Sequence, residues 1–131
     1  MDINYTTKLK NKEDIYSLYD SLDWNSFLKL SSEQLFKAME QSYYAIYAYD
    51  GDVLVGTGRV ISDGVTNAYL CGLGVAPDYR KRGIGTEISG RLVAYCMDSN
   101  LHIQFFCTDK MVPYYENIGF EVFAVGMKVK E

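Results

Sequence analysis

From Val75 to Gly85 the chain reads Val-Ala-Pro-Asp-Tyr-Arg-Lys-Arg-Gly-Ile-Gly, a pattern able to hold a phosphorylated ligand. An apolar strand is predicted to end at Pro77 and an amphipathic helix to begin near Gly83. First-turn N–H groups of a helix have no carbonyl partners inside it, and they point outward with the positive end of the helix dipole. Two glycines let the main chain come close to whatever binds there. Arg80, Lys81 and Arg82 place three cations side by side in a chain whose formal net charge is −4. A solvated basic turn would have the same composition, but the strand–turn–helix setting favours a cofactor site.

Other reactive side chains are few. Cys71, Cys96 and Cys107 are the three cysteines, with no Cys-x-x-Cys pair, and His102 is the one histidine. That set argues against a zinc site, and no metal is expected. Each cysteine lies in an apolar stretch and reads as a small core hydrophobe, and His102, at the start of a strand-like run, as structural or exposed. The acidic balance argues against nucleic acid, whose backbone needs a basic face. With neither a signal-peptide pattern nor an apolar run near the length of a membrane span, the expectation is a cytoplasmic protein with reduced thiols and no membrane partner. Its 131 residues, 48% hydrophobic and 15% aromatic, fit one compact domain over 1–131.

Periodicity supplies the elements that must position the basic turn. Residues 2–8 alternate as a first strand. Asn11 is expected to cap a helix whose Ile15, Leu18, Tyr19 and Leu22 form one apolar stripe. Trp24 and Phe27 follow in a loop, and Ser31 with Gln34 predicts a capping box for a second helix carrying Leu35, Ala38 and Met39. Trp24 and Phe27 either cover the sheet or wall a substrate pocket, and both uses are compatible. Strands at 43–49, 53–61 and 66–75, joined by Asp50-Gly51 and Ser62-Asp63-Gly64, predict an antiparallel meander. A helix over 83–98, with Ile84, Ile88, Leu92 and Tyr95 on one face and Asn100 at its end, precedes a strand at 101–107. That order implies a right-handed crossover and parallel strands. A short helix near 110–117, stopped by Gly119, and a last strand at 120–129 complete the chain.

The meander, Val75-x-Pro77-x-x-Arg80-x-x-Gly83-x-Gly85 opening a helix, a parallel strand, and Tyr115-x-x-x-Gly119-Phe120 before a final strand together resemble the GNAT superfamily of acyl-CoA-dependent N-acyltransferases. Competing glycine patterns fail on context: Gly56-Thr57-Gly58 and Gly72-Leu73-Gly74 sit within strands, and no phosphate-binding Gly-x-x-x-x-Gly-Lys-Ser/Thr exists. The resemblance implies an α/β (α+β) fold with a mixed, mostly antiparallel sheet of six to seven strands flanked by about four helices.

The resemblance also implies acetyl-CoA as cosubstrate. Its pyrophosphate would lie on main-chain N–H groups from Arg80 through Gly83, Ile84, Gly85 and Thr86, with Lys81 and Arg82 toward the phosphates of the adenosine half. The pantetheine arm would run along Leu73, Gly74 and Val75. Thr108 stands where the family often has an asparagine touching the cofactor, and Met111 where it often has a small residue. Tyr115 occupies the general-acid position, and the amine attacks the thioester directly with no acyl-enzyme. Many relatives carry a carboxylate near Gly72, absent here, so water, Asp109, Glu116 or a backbone carbonyl is left to take the proton. Asp20, Asp23 and Asp63 are candidates to attract a cationic amine. Trp24 and Phe27 would contact the acceptor, a small-molecule amine of aralkylamine, polyamine or amino-sugar type. A non-catalytic acyl-CoA sensor would keep the basic turn without needing Tyr115. The exposed face of the last strand is available for a homodimer.

Overall fold

The computed structural model describes residues 2–131. Five strands form one sheet in the order β1-β2-β3-β4-β5. β1 (Ile3–Thr6), β2 (Tyr44–Asp50), β3 (Val53–Ser62) and β4 (Asn67–Val75) pair antiparallel, and β5 (His102–Gln104) joins β4 in parallel. The meander follows its turn chemistry: between β3 and β4, Asp63 Oδ1 accepts from the N–H groups of Val65 and Thr66, both at 2.8 Å. Those bonds hold the Asp63 carboxyl below its usual range, so this residue serves the turn. Asp63 is not among the residues lining the cavity described below.

Helix α4 (Ile84–Met97) covers one face of the sheet. Ile84, Ile88, Leu92 and Cys96 form its buried stripe. Full burial of Ile88 or Leu92 contributes about 1.5–3 kcal/mol each relative to exposure. Tyr95 was expected on that stripe but is exposed and stacks on Tyr44, ring centroids 3.8 Å apart. A step of four residues from Leu92 reaches Cys96, which takes the buried place.

The opposite face carries α1 (Glu13–Ser21), α2 (Asn25–Leu28) and α3 (Ser32–Glu40). Ile15, Leu18, Tyr19, Leu35 and Met39 are buried there over Tyr47 and Tyr49. The Ser31–Gln34 capping box is present in both directions. Asn11 does not cap α1: Lys12 occupies that position, and the Asp14 carboxylate accepts from the Asn11 N–H instead. Phe27, expected in a loop, lies in the one-turn helix α2.

Past α4 the sheet is shorter than expected. Among the described residues there are five strands and five α-helices where six to seven strands and about four helices were anticipated. The extra helix is α2, and the region 110–117 resolves into a 3-10 turn, Asp109–Met111, followed by α5 (Val112–Asn117). The strand expected over 101–107 shrinks to three residues, and 120–129 forms no strand. So short a β5 leaves little edge for a further strand to join. Phe123, Val125, Met127 and Val129 are exposed rather than set into a ladder, and the strand face considered for a homodimer does not form. Of the cysteines only Cys96 is buried. Cys71 is half-buried and Cys107 exposed, because Cys107 falls beyond the shortened β5.

Candidate functional site

The basic turn is built from a strand end, a 3-10 turn at Pro77–Tyr79 and the N-terminus of α4. Arg80 donates from Nε to the Val75 carbonyl at 3.1 Å, tying the turn to the end of β4. Tyr79 donates its hydroxyl hydrogen to Asp50 at 2.6 Å, and the Arg82 guanidinium lies 5.2 Å from the Tyr79 ring centre. Gly83, at φ +82°, is the N-cap of α4 and offers no side chain to its first-turn N–H groups. A left-handed residue there explains the glycine. Arg80, Lys81, Arg82 and Thr86 are exposed, and Ile84 is buried in the core.

Along β4 toward this turn the sheet opens. β5 pairs with β4 only through Asn67, Ala68 and Tyr69, while β4 continues to Val75 on its β3 side. Beyond Tyr69 the second edge of β4 faces a cavity of about 570 Å³ lined by Cys71, Gly72 and Leu73. Tyr19, Trp24 and Phe27 wall it on the α1–α3 side, and Phe105, Tyr115 and Phe120 on the β5–α5 side. Ser89 and Leu92 of α4 also reach it, so the cavity passes between β4 and β5 from one face of the sheet to the other.

Tyr115 is half-buried, with the Phe105 ring edge-on at 4.7 Å. Burial, then the neighbouring Tyr114 and Cys107, push its phenol above the ordinary value, so it is protonated at neutral pH. Tyr114 points elsewhere: its hydroxyl lies 3.0 Å from Thr86 Oγ1 and links α5 to the first turn of α4.

The cavity therefore brings Leu73, Tyr115, Trp24 and Phe27 together. Gly74 lies just outside its lining; a Cβ there would sit 2.6 Å from Trp24 Cη2, so the glycine lets Trp24 lie against the strand. Val75 is the last residue of β4 and the 80–86 turn stands beyond it, and exposed Thr108 heads the 3-10 turn before α5. Met111 is exposed. Asp20, Asp23, Asp109 and Glu116 are exposed and do not line the cavity. No carboxylate is among its described lining residues.

A model of the acetyltransferase (GNAT) family matches residues 10–120. The chain belongs to this family. Among curated relatives, GCN5-related N-acetyltransferase 2, chloroplastic, of Arabidopsis thaliana is 32% identical over 76 residues, which cover 57% of this chain and 30% of that protein. The chain spans about a third of the length of the curated relatives it matches. A solved Staphylococcus aureus protein of unknown function, described as a probable acetyltransferase, superposes with a TM-score of 0.83 at 21% identity, covering 99% of this chain and 100% of that one. A predicted acetyltransferase from Clostridium acetobutylicum, solved with acetyl-CoA, has a TM-score of 0.70 at 18% identity over 98% and 96% of the two chains.

Within this GNAT chain, Gly72 has a structural reason to lack a side chain. It adopts φ +63° opposite the β3 register shift, and a Cβ would lie 2.9 Å from the Tyr19 hydroxyl. Tyr19 thus takes up space that a side chain at 72 would fill. Sequence reading missed Tyr19 as a cavity wall because it scored only as part of the α1 stripe, and missed Arg59 because a lone cation in a strand gives no motif.

Proposed function

We propose that the protein transfers the acetyl group of acetyl-CoA to a primary amine of a small molecule, by direct attack and with no acyl-enzyme. One observation carries this reading: the cavity between β4 and β5 contains both the unpaired edge of β4 at Leu73 and the half-buried Tyr115. Family membership supports it, as does the acetyl-CoA bound to the Clostridium acetobutylicum protein.

The residues present fit the cosubstrate. The uncapped first turn of α4 behind left-handed Gly83 suits a pyrophosphate, with N–H groups from Arg80 to Thr86 as donors. A Cβ at Gly85 would meet nothing nearer than the Tyr114 hydroxyl at 3.5 Å, leaving the main chain there open to approach. Arg80 contributes chiefly through its main chain because its guanidinium is held by Val75. The edge of β4 from Leu73 to Val75 holds the pantetheine arm. When bound, acetyl-CoA supplies an activated acyl thioester.

The chain's own groups then have three tasks. Trp24, Phe27 and the other cavity walls orient the amine, and orientation near the attack geometry is worth on the order of 7–11 kcal/mol. A β4 N–H between Leu73 and Val75 meets the negative charge that develops on the carbonyl oxygen. Tyr115 holds a proton at Oη for the departing sulfur. With no carboxylate lining the cavity, the amine arrives neutral and loses its second proton to water or to a β4 carbonyl.

Tyr115→Phe tests this assignment. Release of free CoA across an amine panel is expected to fall by about 100-fold or more, with calorimetric affinity for acetyl-CoA within about twofold of the parent. Equal turnover in the two proteins would remove Tyr115 from the mechanism.

A further inference from the structure

The acceptor end of the cavity holds a cation that forms no ion pair among the described residues. Arg59 projects from β3 onto the α1–α3 face, opposite Cys71 in the β3–β4 register and next to Gly72. Among the described residues lining the cavity it is the one charged side chain. Its Nη1 donates to Ser42 Oγ over a long 3.3 Å, and its buried Nε has no hydrogen-bond partner. No carboxylate among the described residues forms an ion pair with it. The other buried side-chain atom without a partner, Ser89 Oγ, opens on the same cavity from α4.

A guanidinium without a counter-charge, with its Nε unsatisfied among mostly apolar walls, is costly, and the cost is reduced by a ligand that accepts from its fork of donors. The groups near it are poor internal partners. Burial raises the Tyr19 phenol, with Arg59 working against that rise, and burial likewise raises the Cys71 thiol; both are neutral at physiological pH.

We propose that Arg59 is a specificity residue that receives the carboxylate of the acceptor, and that the acceptor is an apolar or aromatic amino acid or a close amino-carboxylate analogue. A single guanidinium matches one negative charge, whereas a phosphate dianion would call for further cations that the cavity does not offer. The aromatic walls of Tyr19, Trp24 and Phe27 suit an apolar body. With its carboxylate on Arg59, the ligand lies beside the Tyr19 hydroxyl that covers Gly72, close to the Leu73 edge where the thioester is placed. The same charge disfavours polyamines, whose cations would be repelled.

This inference rests on the acetyltransferase reading, so the experiment separates the two. CoA release is measured with L-phenylalanine, with phenethylamine, which lacks the carboxylate, and with O-phosphoethanolamine. The expected result is a kcat/KM at least 100-fold higher for phenylalanine than for phenethylamine, a ratio that Arg59→Met reduces at least tenfold. Arg59→Lys, which keeps charge but not the fork, reduces the ratio less and serves if the methionine variant melts early. Preference for phenethylamine or O-phosphoethanolamine overturns the carboxylate assignment and leaves acetyl transfer standing. Failure of every amine overturns the acetyltransferase reading. Arg59 is then judged by calorimetry with CoA present: tighter binding of N-acetyl-L-phenylalanine than of N-acetylphenethylamine, lost in Arg59→Met, supports the assignment, and equal binding overturns it.

Discussion

The two faces of the sheet use closely spaced glycines differently. On the α4 face, a Cβ at Gly58 would stand 2.9 Å from Ile88 Cγ2 and 3.0 Å from Leu92 Cδ1, and one at Gly56 would stand 3.1 Å from both Ile84 and Ile88. Missing side chains there let a helix settle directly onto the strands through an apolar cluster that includes Ile84, Ile88 and Leu92. On the α1–α3 face, Gly72 and Gly74 leave space that Tyr19 and Trp24 occupy, and these two walls border a cavity. One face is closed by its glycines; the other keeps a chamber lined by Arg59, whose buried Nε has no hydrogen-bond partner.

The largest expected effect breaks the closed face. Gly58→Ala forces a methyl against Ile88 Cγ2, which is branched close to its own backbone and cannot swing aside. Overpacking of this kind costs about 1–3 kcal/mol, so Tm should fall by roughly 5–10 °C in a thermal melt. An unchanged melt would mean that α4 rides further from the sheet than described.

Gly72→Ala sharpens the contrast. Its left-handed φ costs an alanine on the order of 1–2 kcal/mol, but the clashing Tyr19 atom is the far end of a side chain and can move. Stability should drop less than in Gly58→Ala, while the displaced phenol narrows the chamber and raises KM for the amine. A loss of stability equal to that of Gly58→Ala, with KM unchanged, would show that both faces are plain packing.

The smallest effect is one of pH. Tyr47 lies under α1 and α3 with its phenol pushed up to about 12 by burial, and Tyr19 and Tyr49 in the same cluster are raised as well. A phenol with a raised folded pKa contributes stability that is complete below the unfolded value near 10 and is lost as pH climbs through the folded value. Tyr47 alone should therefore cost on the order of 1 kcal/mol by about pH 10.5. Trp24, edge-on to Tyr19 at 4.9 Å, reports that face by fluorescence, and its emission should shift before far-UV circular dichroism falls. Coincident transitions would mean that the two faces unfold as one.

Much of this was legible in the chain. Asp50-Gly51 and Ser62-Asp63-Gly64 fixed the meander because turn chemistry is local, and Ser31 with Gln34 fixed the start of α3 for the same reason. Where reading by period failed, the deciding contact was distant. Tyr95 and Cys96 both fit a helical stripe, and Tyr95 lies on the outer side of it, against Tyr43 and Tyr44. Residues 120–129 alternate like a strand, but a strand exists only with a neighbour to bond, and three residues of β5 do not supply one.

The candidate site divides in the same way. Gly83 and Gly85 ahead of an apolar helical stripe, and Tyr115 four residues before Gly119, are short-range patterns written in the sequence by itself. That Tyr115, Leu73, Trp24 and Arg59 border one chamber was decided by tertiary structure alone, through the parting of β4 from β5 after Tyr69 and the bare backbone at Gly72. A sequence records a charge at position 59. Whether that charge has a partner depends on which elements fold over it, and among the described residues no carboxylate forms an ion pair with it.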